Sequence, residues 1–161
     1  MLGLEHPDTV TTMDNLAEVH KCQDRHIEAE AMHKQALQLR DKVLGPAHPD
    51  TLTSMNNLAE VLNCQCRYVE AEGMLQQTIQ LREKVLGLEH ADTLTSMDNL
   101  AEAFKCQGRY EEAEAIHQQT PQLREKVLGL VHPDTLTSLN SFADVLKWKG
   151  KDAQARFSAL E

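Results

Sequence analysis

The chain has 161 residues, a formal charge of −9 at pH 7, and 41% hydrophobic but only 4% aromatic residues. The negative charge argues against nucleic-acid binding by counterion release and against docking on an anionic membrane. No apolar run approaches the roughly 20 residues of a membrane span, the N-terminus lacks the pattern of a signal peptide, and four cysteines do not form a disulfide framework. We therefore expect a cytoplasmic protein in a reducing compartment.

A segment of eight residues recurs four times along the chain. Its copies begin at Leu2, Leu44, Leu86 and Leu128, so the period is 42 residues with no insertion or deletion. Residues 44–85 and 86–127 differ at only 13 of their 42 positions. We predict a single domain over residues 1–161, with repeats at about 2–43, 44–85, 86–127 and 128–161, the last one truncated.

Each repeat predicts two helices, which are clearest in the second copy. His48-Pro49-Asp50 marks the start of the first helix, because proline suits the first turn and an early aspartate complements the helix dipole. Apolar residues then follow at spacings of three and four, which is typical of the buried face of an amphipathic helix. They are Leu52, Met55, Leu58, Ala59 and Leu62.

The second helix is predicted from about Tyr68 to Val85, after a turn at residues 64–67 whose counterparts contain Gly108 and Gly150. Leu86-Gly87 ends it, since glycine is a common helix stop. Its inward residues are predicted to be Ala71, Leu75, Ile79 and Leu81. Ala59 and Ala71 would let the two helices cross closely. Because one hairpin cannot bury both faces, we predict an all-α fold, a right-handed α-α superhelix with a concave side.

Two features near the C-terminus depart from the repeat. Pro121 occupies the position of Leu37 and Ile79, which predicts a kink or an early helix break near Thr120. The fourth repeat is predicted to end in a short second helix, from about Lys151 to Leu160, that is either a cap or a cut end exposing apolar surface.

The spacing Met55-x2-Leu58-Ala59-x2-Leu62, followed by Ala71-x3-Leu75, resembles the tetratricopeptide repeat (TPR). The 42-residue period, with His48-Pro49-Asp50-Thr51 and residues 81–87, is similar to the kinesin light chain type and to the C-terminal arrays of fungal NLR-like proteins. The resemblance implies a protein- or peptide-binding scaffold or ligand-sensing module, and not an enzyme. The alternative is a structural superhelix that self-associates through its open ends.

The resemblance also implies that the first helix of each repeat lines a peptide-binding groove. The candidate residues are Asp14, Asn15, Glu18 and Lys21 in the first repeat, Asn56, Asn57, Glu60 and Asn63 in the second, Asp98, Asn99, Glu102 and Lys105 in the third, and Asn140, Asp144 and Lys147 in the fourth, with Thr11, Thr53, Thr95, Thr137 and Ser141 beside them. The asparagines could hold a peptide backbone or bond to neighbouring helices. The acidic row favours a basic or neutral partner, or is simply a solvated face.

No residue pattern predicts catalysis, a cofactor or a metal site. The periodic cysteines Cys22, Cys64 and Cys106 look like copied small apolar residues too far apart to pair, and Cys64-x-Cys66 lacks a second pair of zinc ligands. The periodic histidines are predicted to shape the turn before each first helix. Three further histidines could meet inside the first repeat, either as tolerated substitutions in a frayed terminal repeat or as a metal site. They are His20, His26 and His33.

Overall fold

The structure, a computed structural model, describes the backbone of residues 6–158 and the side chains of residues 6–154. Within this part of the chain there are seven helices and no strand, which confirms the predicted all-α fold class. The helices are α1 (Pro7–Cys22), α2 (His26–Leu44), α3 (Pro49–Cys64), α4 (Tyr68–Val85), α5 (Ala91–Cys106), α6 (Tyr110–Leu128) and α7 (Pro133–Ser158). The start of the first repeat at Leu2 lies outside the described residues.

The chain divides into two compact units. The first, residues 1–87, contains α1 to α4, and each helix packs against the next along the chain. The second, residues 88–161, contains α5 to α7, which pack in the same consecutive way. None of the helices described is both long and apolar enough to span a bilayer.

A histidine caps the N-terminus of each first helix. The Nδ1 atom of His6, His48, His90 and His132 accepts a hydrogen bond of 3.2 Å from the backbone N–H two residues later. This satisfies one of the donors that a helix start leaves without an intrahelical partner. In α5 the cap is present although Ala91 replaces the usual proline. The predicted turn-shaping role of these histidines is confirmed.

The turns between paired helices require an unusual backbone conformation at one position. Asp24, Cys66 and Gly108 occupy it, with φ values of 58°, 60° and 76°. Glycine adopts this left-handed conformation without steric cost, whereas side chains with a Cβ rarely do. The predicted bounds of α4 are confirmed, and Gly87 follows it with a φ of 94°.

The core of the α3–α4 hairpin consists largely of small and branched aliphatic side chains. Leu52, Ala59, Ala71 and Leu75 are completely buried, as the periodicity predicts. The predicted inward residues Ile79 and Leu81 are only half-buried. Two polar residues that the apolar pattern missed, Thr78 and Arg82, are buried instead.

The break predicted near Thr120 is wrong, because α6 continues through Pro121. Pro121 is buried, and the Thr120 hydroxyl donates a 2.7 Å hydrogen bond to Asp98 on α5. Packing of this turn against α5 therefore outweighs the backbone hydrogen bond that proline removes.

The separate second helix predicted for the fourth repeat is also wrong over the described residues. α7 runs without interruption through Gly150 to Ser158. At the position where Tyr68 and Tyr110 begin their helices, this repeat has Asp152. Continuing the helix adds one hydrogen bond per residue. Asp152 alone does not explain the difference, because the first repeat has the polar His26 at this position and folds back into α2.

Candidate functional site

A concave recess of about 410 Å³ lies between α5 and α7 in the second unit. Thr95, Asp98, Asn99 and Glu102 line it from α5, and Thr137 and Ser141 line it from α7. All six come from the set of groove residues identified in the sequence. The structure thus brings the first helices of the third and fourth repeats together around one recess.

The floor of the recess is a hydrogen-bonded cluster centred on Asp98. One carboxylate oxygen accepts from Thr120 at 2.7 Å and lies 3.3 Å from His117 Nδ1. The other lies 2.9 Å from both the Arg124 guanidinium and the Ser138 hydroxyl. Burial acts to raise the pKa of Asp98, but hydrogen bonds from His117, Thr120 and Ser138 and the charge of Arg124 outweigh it and lower the pKa. Asp98 is therefore an ionised anchor that joins three helices.

The accessible charge at the rim of the recess is acidic. Glu102 is 46% exposed and pairs with Lys105 one turn away at 2.6 Å, while Asp134 is 57% exposed. The one guanidinium in the lining, that of Arg124, is buried and engaged by Asp98, the hydroxyl of Thr95 and the carbonyl of Asp134. A ligand entering the recess therefore meets carboxylates before it meets any cation of the floor.

In the first unit, four predicted groove residues form a charge network between α1 and α3. Lys21 Nζ lies 2.9 Å from Glu18 and 2.8 Å from Glu60, and the Asn56 amide donates to Glu60 at 3.1 Å. Burial acts to lower the pKa of Lys21, but the hydrogen bonds to Glu60 and Glu18 outweigh it and raise the pKa. The acidic row is partly neutralised here, as it is at Glu102 in the second unit, but here one lysine is shared by two carboxylates.

The remaining candidates differ in accessibility. Asp14 and Asn56 are buried, at 8% and 4% exposure, so their side chains offer little surface to a ligand. Asn57 and Asn63 are half-buried. Asn15, Asn140, Asp144 and Lys147 are exposed, as is Glu18 of the charge network.

Asp14 belongs to a second buried cluster equivalent to that of Asp98. Its carboxylate lies 2.9 Å from His33 Nδ1 and 2.5 Å from Arg40, and Arg40 donates to Ser54 at 2.7 Å. His33 is completely buried, which corrects its interpretation as a substitution in a frayed repeat. The signal was present in the sequence: Asp14–His33 and Asp98–His117 have the same separation, and the second repeat replaces both members of the pair with Asn56 and Leu75.

The four cysteines are exposed and form no disulfide with one another. Cys22, Cys64 and Cys106 are the last residues of their helices, and they lie at the surface. Over the residues whose positions are described, no three histidine, cysteine, aspartate or glutamate side chains gather closely enough to hold a metal ion.

The sequence model of the tetratricopeptide repeat matches residues 8–84, 50–120 and 92–159, three windows offset by the 42-residue period. The crystal structure of nearly identical TPR-like repeats from a Podosopora anserina protein assigned as a kinesin light chain is similar, with 28% identity over 97% of this chain and 74% of that chain, and a TM-score of 0.74. A single-substitution variant of it has the same identity and coverage and a TM-score of 0.76.

BtubC (BKLC) from P. vanneervenii shares the fold, with a TM-score of 0.78 at 19% identity over 94% of this chain and 61% of that chain. Comparison with curated proteins gives no match. The three windows of the repeat model together span nearly the whole chain, and they start 42 residues apart, which is the period of the repeat. The helix pairs and the buried alanines Ala59 and Ala71 described above agree with this repeat. This chain therefore belongs to the tetratricopeptide repeat family, with kinesin light chain-like repeats as its structural neighbours.

Proposed function

We propose that this chain is a cytoplasmic, non-catalytic interaction module that binds an extended basic or neutral segment of another protein along its first helices. TPR domains are generally protein-interaction scaffolds, which supports the coarse function. The recess between α5 and α7 supports the finer one, because its accessible rim charges are the carboxylates of Glu102 and Asp134. Complementary charge speeds encounter and rejects partners of the wrong sign.

The polar lining supports an extended peptide as the ligand. The side chains of Thr95, Asn99, Thr137 and Ser141 carry hydroxyl and amide groups that both donate and accept hydrogen bonds. Such groups can pair with the N–H and C=O groups of a peptide backbone, which any sequence offers. Backbone pairing would supply affinity, and the acidic rim would supply the preference for charge.

Three labelled peptides of one length, identical except for lysine, serine or glutamate at alternate positions, test this proposal. We expect fluorescence anisotropy to give the tightest binding for the lysine peptide and the weakest for the glutamate peptide. Glu102→Lys should weaken the lysine peptide by roughly tenfold, which corresponds to about 1.4 kcal/mol. Glu60→Lys should weaken it less, because Glu60 does not line the recess.

The matched control is Glu83→Lys, which makes the same charge change at an exposed position of α4. It should leave the lysine peptide's affinity unchanged within about twofold, a shift expected from net charge alone. Equal effects of the Glu102 and Glu83 substitutions, or equal binding of the three peptides, would overturn the assignment of the recess. Asn99→Ala should weaken the lysine and serine peptides alike if the backbone is the common ligand.

Self-association through an end of the array is the second candidate function. It is favoured by a separate observation on α7, and it does not depend on the recess.

A further inference from the structure

One face of α7 is apolar and uncovered. Leu136, Leu139 and Leu146 are 46%, 37% and 43% exposed, and Ala143 beside them is exposed. At the equivalent positions of α3, Leu52, Met55 and Leu62 are at most 8% exposed. There α4 folds back and packs against α3, whereas α7 continues straight past the point where its own partner helix would begin.

The uncovered face has the spacing of a coiled-coil seam. The positions Leu136, Leu139, Ala143, Leu146, Gly150 and Ala153 alternate steps of three and four residues, and the sequence continues the pattern with Phe157. An apolar or small residue at every such step makes a continuous stripe along one side of a helix. We call these six described positions the α7 seam. It contains no charged residue.

The seam is distinct from the face that α7 uses within its own unit. Thr135, Ser138 and Val145 are fully buried, and each of them lies one residue before a seam position. Lys149 on that side pairs with Glu114 of α6 at 2.6 Å. The seam therefore borders the face that packs within the unit and stays partly exposed beside it.

We propose that the α7 seam docks against the α7 seam of a second copy of this chain, antiparallel, about a twofold axis near Leu146. A twofold interface requires a surface that is complementary to itself. An uninterrupted apolar stripe with small residues on the C-terminal side of Leu146 and leucines on the N-terminal side meets that requirement. With the axis at Leu146, Leu139 of one copy faces Ala153 of the other, and Leu146 faces its own counterpart.

The charges that flank the seam select this direction. Asp144, Lys147 and Lys151 lie along one side of it, one helical turn apart. With the axis near Leu146, Asp144 of one copy falls between Lys147 and Lys151 of the second copy. In a parallel arrangement the same flank would lie on opposite sides of the two helices, so Asp144 would have no lysine of the other copy beside it.

The alternative occupants of the seam are the chain's own residues 151–158, folded back, and a helix from a different protein. The first would require α7 to break at Gly150, where the structure shows continuous helix. Nothing in this chain specifies a helix from a different protein, whereas a second copy presents a face of the same length, spacing and flanking charge. Both alternatives remain distinguishable by the position and partner of a cross-link.

Disulfide cross-linking tests the antiparallel register. The four exposed cysteines are first replaced by serine, and Leu146→Cys or Leu136→Cys is then introduced. Leu146→Cys should give a linked homodimer on mild oxidation, because it lies near the twofold axis. Leu136→Cys should not, because a rise of about 1.5 Å per residue puts its two copies roughly 30 Å apart. Linking of both variants equally would overturn the antiparallel arrangement, and linking of neither would overturn the proposal.

Sedimentation equilibrium tests the surface itself. The wild-type chain should show concentration-dependent dimerisation, and Leu146→Asp should weaken it at least tenfold. The control is Ile27→Asp, since Ile27 is 79% exposed on α2 and lies outside the seam. It should dimerise like the wild type. Circular dichroism should show unchanged helicity for both variants, because both replace exposed side chains.

A monomer at every concentration, or loss of dimer in Ile27→Asp as well, would overturn the proposal. A compact monomer in which a Leu146→Cys, Asp152→Cys chain forms an internal disulfide would identify the folded-back segment as the occupant. Peptide binding in the recess is measured on the Leu146→Asp chain, so failure of either proposal is seen independently of the other.

Discussion

The buried Asp98–His117 pair shows how a single residue's role depends on its partner. An ionised carboxylate in this position is stable because His117, Thr120, Arg124 and Ser138 surround it. Removing one member of a buried charged cluster leaves the others without compensation, which generally destabilises more than the cluster contributes as a whole. The second repeat has Asn56 and Leu75 at the positions of Asp98 and His117, so it contains neither the carboxylate nor the histidine of the pair.

We therefore expect Asp98→Asn and His117→Leu to be coupled. Asp98→Asn alone should destabilise the fold by about 3 kcal/mol, because it leaves Arg124 and His117 buried without a carboxylate. The double substitution should be more stable than the sum of the single effects by about 1 kcal/mol or more. Urea unfolding of the four chains measures this coupling, with exposed Glu83→Gln as control. Additive effects would mean that the two side chains do not act as a pair.

The stability difference between the wild type and Asp98→Asn should also depend on pH. The folded-state pKa of Asp98 lies below its usual value. Its stabilising contribution is therefore present above the unfolded pKa of about 3.9 and is lost as the pH falls toward the folded pKa. The stability difference between wild type and Asp98→Asn should narrow below about pH 4. A difference that stays constant through this range would contradict the depressed pKa.

Six of the residues that line the recess were implied by the family resemblance, which places the groove on first helices. The resemblance could not separate the exposed positions from the buried ones, such as Asp14. At this position Asp14 pairs with His33, 19 residues away, and that histidine looks like a local irregularity when one repeat is aligned with the next. A long-range pair becomes visible only when both positions are compared across repeats together.

At the scale of elements, one repeat position has two backbone conformations. Gly108 lies in the turn between α5 and α6 with a φ of 76°, whereas Gly150 lies inside α7. An alanine is strained at the first position and favourable at the second. The glycine alone does not distinguish the two conformations. The residue two positions later differs as well, and is Tyr110 in one case and Asp152 in the other.

Paired alanine substitutions check this difference. Gly150→Ala should stabilise the fold by up to about 1 kcal/mol, which is the helix-interior difference between the two residues. Gly108→Ala should destabilise it by about 1 kcal/mol, because a Cβ disfavours the left-handed conformation. Neither position has a neighbour within 4 Å of an added Cβ, so the backbone alone decides the sign. Destabilisation by Gly150→Ala in thermal unfolding would indicate a turn at that position.

The whole molecule is a set of nearly equal repeats whose environments are unequal. α3 has α2 packed against it, whereas α1 is the first helix described. Leu16 and Val19 of α1 are consequently 43% and 49% exposed, while their counterparts Leu58 and Val61 of α3 are 2% and 0% exposed. A repeat sequence predicts the fold of each copy well, but burial also depends on the neighbours, which the internal pattern of one repeat does not contain.

These unequal environments predict that one substitution destabilises the fold strongly at one position and hardly at all at the equivalent position. Val61→Glu places an unpartnered carboxylate in the core and should destabilise the fold by about 3 kcal/mol or more. Val19→Glu, at the same point of the 42-residue period, should change the stability by no more than about 0.5 kcal/mol, because its side chain already meets solvent. If Val61→Glu does not fold, Val61→Ala and Val19→Ala give the same comparison at a smaller scale. Urea unfolding measures each chain, and equal losses at the two positions would show that α1 is covered by a contact that leaves Val19 buried in solution.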